Sequence, residues 1–511
     1  MHKSVENGYK KRRFRHNGFG DEVDMKPRVE VLEESEVREI YEASLEILEN
    51  VGVVIFHEKA LKMLEEHGAT VNYETKIARF PQNLVKDSLK KTPSSISFYD
   101  TKGKNVYKLE GDEVHYTPGA AAVKILDSET LDARSPKVDD LVKLVKLTDM
   151  LKNIHFQSTA LVPSDVPNPL VDRYRVYILL KYSRKPIVTG TFTFDGTRDI
   201  INLFAAAAEG MDIRKKPVGT LVCCPTSPLK WSELQLQSLI ECCKHDVPVI
   251  VVPAPALGLT APGAMAATLA QHTAEVLSGV VIAQLVKPAS PVIFGGSANV
   301  ADLRYGTTLL GSMETAMLFT SLAQIAKYLN LPVHAFAGVV DSKVVDFQAG
   351  QESGVGLLMG ALAGVNLMHG PGMVELESCQ SLEKLVLDNE ICGMALRFKR
   401  GFEVNKETLA LDIISEVGAG GEYIKNFKAL KFLRKNVDKT YYLPSDVVSR
   451  ETRMEWKARG AKNAFEKAKE HVKKLLEEYE GPVLSSEALG KMKAILKAAA
   501  ERNSVSLPSQ E

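Results

Sequence analysis

Pro332-Val333-His334-Ala335-Phe336-Ala337-Gly338 is a short apolar run that gives way to a helical pattern, Gln348–Gly364, and then to a second short run, Asn366–Gly370. Two extended runs joined by a helix-length connection form a parallel βαβ unit, because parallel strands need a crossover. Outward from this unit the same alternation repeats. Extended runs are expected at Ala120–Leu126, Ile154–Val162, Pro186–Phe192, Val218–Cys224, Val247–Val252 and Pro291–Gly296. Helices are expected at Val138–Leu151, Leu170–Tyr182, Arg198–Glu209, Ser232–His245, Gly263–Val286, Ser312–Asn330 and Leu382–Lys399. The first of these is clearly amphipathic: Asp139, Lys143, Lys146 and Asp149 share one stripe, and Leu141, Leu144, Val145 and Leu151 lie on another side. Roughly eight units over about 280 residues is the size of a closed (β/α)8 TIM barrel. An open doubly wound sheet is the alternative, but no GxGxxG joins a strand to a helix.

Four regions are expected: a flexible lead-in at 1–33, an N-terminal α/β extension at 34–115, the barrel with its active site at 116–400, and a C-terminal helical region at 401–511. The extension opens with a helix, Glu36–Asn50, for which Ser35 is a fitting N-cap. A short strand, Val51–Phe56, and a helix, Lys59–His67, ending before Gly68, follow. In the last region Met454, Ala458, Ala461, Phe465, Ala468, Val472, Leu475 and Tyr479 alternate steps of four and three. That seam fits a helix packed on the barrel's outside, or one that joins two copies in a homo-oligomer.

The 511 residues are 45% hydrophobic and 25% charged, an ordinary globular balance, with 64 basic against 64 acidic side chains. Net charge therefore points to neither nucleic acid nor a membrane surface as a partner. The run Lys10-Lys11-Arg12-Arg13 with Arg15 reads as a solvated tail, and no apolar segment follows it as in a secretory signal, so a cytoplasmic protein is expected. The longest apolar stretch, Ala264–Val286, holds Gln271, His272 and Glu275 at its centre and reads as a buried barrel helix rather than a membrane span. Six cysteines, two adjacent pairs (Cys223-Cys224, Cys242-Cys243) plus Cys379 and Cys392, lack metal-ligand spacing and read as reduced, mostly buried thiols.

In such barrels the loops after the strands carry function. Here these are Pro253–Gly263, the segment Gly295-Gly296-Ser297-Ala298-Asn299 with Asp302 and Tyr305, Ala337–Lys343, and Met368–Glu375. Their polar groups are Asp302, Asp341, Lys343, Glu352, His369 and Glu375, with His334 on the seventh strand. Lys343 suits a Schiff base chemically, although an ion pair with Asp341 is the plainer expectation. Tyr116, Phe156, Phe294, Tyr305 and Phe336 either pack the core or turn ring faces toward an onium cation. HExxH, P-loop and GxSxG patterns are absent, which argues against metalloprotease, nucleotide hydrolase and serine hydrolase chemistry.

Several co-linear segments resemble the trimethylamine methyltransferase superfamily. They are Ile47–Val53 with Ala60-Leu61 and Gly68–Val71, then Val162–Pro167, Gly295-Gly296, Asp341-Ser342-Lys343 with Asp346 and Gln348–Gly350, and Gly370–Glu375. The resemblance implies a (β/α)8 enzyme that moves a methyl group from a methylamine to the Co(I) of a corrinoid (a cobalamin-type cofactor) carried by a separate protein, with none tightly bound. Founding members carry pyrrolysine just before the segment matching Asp341-Ser342-Lys343. At that place stands Val339, or Val340 if the alignment slips by one, and neither forms a covalent amine adduct. Family members without pyrrolysine use quaternary amines such as glycine betaine.

The resemblance and the strand positions together give a set of expected roles. Tyr305, Phe336, His334, Val339 and Glu375 would meet the substrate, Asp341, Glu352 and His369 would serve catalysis, and Gly295 and Gly296 would let the corrinoid approach. No metal is expected to be bound by the chain itself. A lysine-dependent aldolase-like barrel, a trimethylamine-type methyltransferase and a non-catalytic scaffold that binds betaine or the corrinoid protein are the alternatives.

Overall fold

The computed structural model describes residues 27–481 and 483–508. The basic run at Lys10–Arg13 and Arg15, with most of the expected lead-in, lies outside the described residues. Eight parallel strands form the central sheet: β1 (His115–Thr117), β2 (Gln157–Ser158), β3 (Ile187–Thr189), β4 (Gly219–Cys223), β5 (Val249–Val251), β6 (Val292–Gly296), β7 (Val333–Phe336) and β8 (Leu367–His369). Their order is β1-β8-β7-β6-β5-β4-β3-β2. Main-chain bonds from His155 and Phe156 N–H to the Tyr116 carbonyl, 2.8 and 3.1 Å, bring the two edges together, so the barrel is all but closed.

Each strand is followed by a helix: α1 (Val138–Met150), α2 (Val171–Tyr182), α3 (Gly196–Ala207), α4 (Glu233–Lys244), α5 (Met265–Val286), α6 (Met313–Tyr328), α7 (Phe347–Ala363) and α8 (Leu382–Arg400). The sequence caps them well: Ser232, Ser312, Asp346 and Ser381 each accept a backbone N–H of the first turn. Among the described residues α5 is the helix long and apolar enough to cross a membrane, and 89% of its apolar window is buried inside the fold. The reason is its position, between the sheet and the N-terminal helices Glu34–Glu46 and Gln82–Lys91. Its polar Glu275 is occupied, accepting bonds from Ser227 Oγ (2.7 Å), Leu229 N (2.8 Å) and Gln271 Nε2 (3.0 Å).

One expected strand is displaced. The apolar run at Ala120–Leu126 is not the first barrel strand; β1 is the shorter, more polar His115–Thr117. Lys124–Leu126 instead pairs with Cys379–Gln380 and Ala133–Arg134, in a small sheet completed by Met373–Val374. That sheet ties the loop after β1 to the loop after β8. A second small sheet, Ala256–Leu257, Asn299–Asp302 and Thr307–Leu309, ties the loops after β5 and β6. At the opposite end the hairpin Ile96–Tyr99 and Val106–Leu109 plugs the barrel, where Ile96, Phe98 and Leu109 pack against the inward side chains. The barrel therefore has a sealed floor and a braced mouth.

The heptad seam is not one helix. Gly460 (φ 93°) and Ala461 (φ 53°) break it into Arg453–Ala458 and Ala464–Glu478. The second piece buries Ala468 and Val472 and lies on α8 and α1, the packing expected for a helix on the barrel's outside.

Candidate active site

Residues in register on neighbouring strands share a face, so the inward set can be read around the barrel. Val188, Val222, Ile250, Ile293 and Leu367 point inward and make an apolar lower layer with Phe156. In that layer His334 aligns with Leu367, and above it Phe336 aligns with His369. His334 Nε2 lies 2.7 Å from His369 Nδ1, and the Phe336 ring stacks on the His369 imidazole at 5.2 Å and 16°. Burial pushes His369 down to about 3 and His334 well below its ordinary range, so both are neutral. A neutral, buried pair cannot act as a cationic anchor for a carboxylate. Its outer nitrogens, His334 Nδ1 and His369 Nε2, have no hydrogen-bond partner among the described residues.

The expected carboxylates hold loops. Asp341 accepts the N–H groups of Leu310 (2.9 Å) and Gly311 (3.1 Å), and burial raises its carboxyl from the usual range. The Asp341 N–H is donated to Glu352 Oε2 at 2.6 Å, and Gln348 holds the other Glu352 oxygen at 2.7 Å. Together they clamp the loop after β7 to the loop after β6. Lys343 Nζ donates to the Asp341 main-chain carbonyl at 2.7 Å and is exposed, not set inside the barrel as a Schiff-base lysine would be. Glu375 pairs with Lys124 at 3.1 Å.

Three expected residues stand elsewhere. Tyr305 is 77% exposed in the turn of the hairpin after β6, with the Arg304 guanidinium 5.4 Å from its ring. Gly295 and Gly296 are buried within β6. A Cβ at Gly295 would come 2.5 Å from the Val251 carbonyl oxygen, so that glycine answers to strand packing. Val339 is 1% exposed and Val340 fully buried, just beyond the carboxyl end of β7. The loop after β8 runs beside them: Leu376 N donates to the Val340 carbonyl (3.1 Å) and Glu375 N to Ser342 (2.8 Å).

One mouth residue, Glu377, carried no signal in the sequence. Glu375, Leu376 and Glu377 all have positive φ, 53°, 56° and 72°, although none is glycine or asparagine. Glu377 makes no hydrogen bond or ion pair with any described residue, and burial pushes its carboxyl up to about 8. The thiols are mostly buried, as expected; Cys224, at the end of β4, is the exposed one, and the Glu377 carboxylate is among the groups that raise it.

A buried ion pair sets the frame beneath. Lys384 Nζ meets Asp388 (2.6 Å), Ser353 Oγ (2.7 Å) and the Gly338 carbonyl (3.1 Å). On the far wall Arg173, fully buried, gathers Asp172, Asp195 and Asp199, and so fixes the loop after β3 that presents Phe192 and Phe194.

The family model for trimethylamine methyltransferase (MTTB) matches residues 6–502. The chain belongs to the trimethylamine methyltransferase family. Curated relatives are a trimethylamine methyltransferase of Methanosarcina mazei, 32% identical over 83% of this chain and 86% of that protein, and one of Desulfitobacterium hafniense strain DCB-2, 29% identical over 83% and 85%. A glycine betaine methyltransferase of Desulfitobacterium hafniense strain Y51 is 29% identical over 83% of this chain and 88% of that protein. Among solved structures, the monomethylamine methyltransferase of Methanosarcina barkeri superposes with a TM-score of 0.51 at 11% identity, covering 88% of this chain and 90% of that one. That likeness establishes the shared barrel fold. For a member of the trimethylamine methyltransferase family, the end of β7 is where the aliphatic pair Val339-Val340 draws attention, and Glu377 lies one residue beyond the main chain bonded to it.

Proposed function

We propose that this methyltransferase takes a methyl group from a quaternary amine, glycine betaine or a related betaine, and passes it to the Co(I) corrinoid of a partner corrinoid protein. The observation that carries this is Val339, a buried aliphatic side chain at the place where the family's founding members keep pyrrolysine, followed by a second buried valine. No side chain there forms an adduct with a neutral amine. A quaternary nitrogen needs none: as the C–N bond breaks, its electron pair stays on nitrogen and a neutral tertiary amine leaves, while Co(I) supplies the pair for the new Co–C bond. No proton moves. The protein's share is to hold the cation in line and keep water out, a matter of position and electrostatics.

In this scheme Phe336 and the valines give the methyl groups an apolar wall, and Asp341 and Glu352 act as positioning residues that fix the loop bearing Val339. The His334–His369 pair is a neutral support beneath. Tyr305, with Phe194, Leu303 and Phe347, all exposed, offers an apolar rim on which the carrier protein seats. The chemistry is placed in the cytoplasm.

The test is methylation of a cognate Co(I) corrinoid protein, followed by its absorbance change, with glycine betaine, proline betaine, carnitine and trimethylamine. Turnover with at least one betaine is expected; turnover with trimethylamine alone would reject the proposal, and binding without turnover would favour the scaffold alternative.

Assembly with further copies of the chain is part of the same proposal. Phe402, Val404, Ile424 and Phe427 are 86, 72, 77 and 80% exposed, more apolar surface in one short segment than a solvated monomer usually keeps. Sedimentation velocity is expected to show an oligomer that Phe402→Ser with Phe427→Ser dissociates. A wild-type monomer at micromolar concentration would contradict it.

A further inference from the structure

The loops after β6, β7 and β8 hold five carboxylates: Asp302, Asp341, Asp346, Glu375 and Glu377. Four are matched. Asp302 is held by Arg304 (2.6 Å) and Asp341 by two backbone N–H groups. Asp346 binds Ser342 Oγ (2.9 Å) and caps α7, and Glu375 is paired with Lys124. Glu377 alone of the five has no partner among the described residues. A partly buried carboxyl left unmatched costs stability.

Its backbone makes the same point. A left-handed conformation is strained for any residue other than glycine, and three in succession persist only when the surroundings impose them. Here two N–H bonds to Val340 and Ser342, and the Ser378 N–H back to the Glu375 carbonyl (3.0 Å), hold the turn. The consequence is direction. β8 and β4 lie on opposite sides of the barrel in the strand order, yet the Glu377 charge acts on the thiol of Cys224 at the end of β4. The Glu377 carboxyl therefore stands at the mouth between the ends of β8 and β4. At the same mouth stand groups that are neutral: Cys224, whose thiol is raised to about 12 by the side chains crowded around it, the His334–His369 pair, and the Val339-Val340 wall bonded to the neighbouring Leu376 N–H.

From this placement we infer that Glu377 is the counter-charge for the substrate's onium group, and that it selects permanently cationic amines over neutral molecules of the same shape. The inference rests on the quaternary-amine proposal and names the residue that would enforce it. An unmatched carboxylate at the mouth, on the loop bonded to an aliphatic wall, suits a trimethylammonium or sulfonium head that offers charge but no hydrogen-bond donor. A primary amine would instead want acceptors arranged around its N–H groups.

Two matched pairs of probes separate charge from shape: choline against 3,3-dimethylbutan-1-ol, and glycine betaine against 3,3-dimethylbutanoate, in which carbon replaces nitrogen. Calorimetry at pH 9 is expected to show the wild type binding at least one cation more tightly than its carbon twin, by on the order of tenfold. Glu377→Gln should erase that preference while leaving the neutral probes within about twofold, and Glu377→Asp should restore part of it. Titrations at pH 7 in buffers of different ionisation enthalpy should show wild type, and not Glu377→Gln, releasing close to one proton per cation bound. A cation preference that survives Glu377→Gln overturns this inference alone. A wild type that prefers neither cation overturns the quaternary-amine proposal as well.

Discussion

Lys384→Met is expected to destabilise the protein by about 3–5 kcal/mol, as measured by chemical denaturation, and to lower methyl transfer in whatever folded fraction remains. Lys384 is 1% exposed, and the three acceptors of its ammonium belong to different parts of the mouth: Asp388 on α8, Ser353 on α7, and the Gly338 carbonyl in the loop after β7. Asp388 in turn accepts the Gly372 N–H at 2.7 Å, in the loop after β8. One ion pair thus sets the spacing of the two loops that carry Val339 and Glu377. Removing the lysine leaves the Asp388 charge buried and uncompensated, which is the expensive way to break such a pair. Replacing both partners, Lys384→Met with Asp388→Leu, is expected to recover most of the stability, since an apolar pair of similar volume often substitutes at little cost. It should not recover activity, because Gly338 and Gly372 lose their shared anchor. A loss below about 1 kcal/mol in the single variant would show that the pair is not what holds the mouth together.

How much of this was legible follows from how far apart in sequence the interacting groups lie. The βα alternation is local, and it placed seven of the eight barrel strands; β1 escaped because His115-Tyr116-Thr117 is short and mixed, while the apolar run after it was claimed by Cys379–Gln380 in a small sheet. The heptad seam was a correct local pattern, but Gly460 and Ala461 interrupt it, and a period counted in residues cannot sense a break in φ. His334 and His369 were picked as separate strand-end polar groups; only the adjacency of β7 and β8 turns them into a neutral pair. Asp341 was a sound candidate by position, yet its partners Leu310 and Gly311 come from the preceding βα unit. Glu377 was passed over altogether: three left-handed residues without glycine or asparagine leave no trace in the letters, and its relation to Cys224 spans the barrel.

Glu377→Gln is expected to make the protein more stable above neutral pH while abolishing its discrimination of cations, a combination that no purely structural glutamate would give. The sign follows from linkage. Burial raises the Glu377 carboxyl to about 8, above its ordinary value near 4.5. The folded protein therefore favours the protonated form, and the stability attached to that proton is complete below the ordinary value and lost as pH rises through about 8. Glutamine cannot ionise. The two proteins should match near pH 4, and the variant should lead progressively up to pH 9, by on the order of 3 kcal/mol once the carboxyl's partial exposure is allowed for. Thermal or denaturant unfolding at several pH values measures the difference; equal stabilities at pH 9 would mean that the carboxyl is not held out of water. Cys224, the titratable neighbour, stays neutral over the whole range. The missing stability has a purpose if a cation replaces the proton: apparent affinity for an onium ion should then improve about tenfold per pH unit up to about 8 and level off above it. Wild type should also gain more in melting temperature from choline or glycine betaine than the variant does. A site that gives up stability when empty and regains it on binding a fixed positive charge is tuned to its ligand's charge as well as its shape.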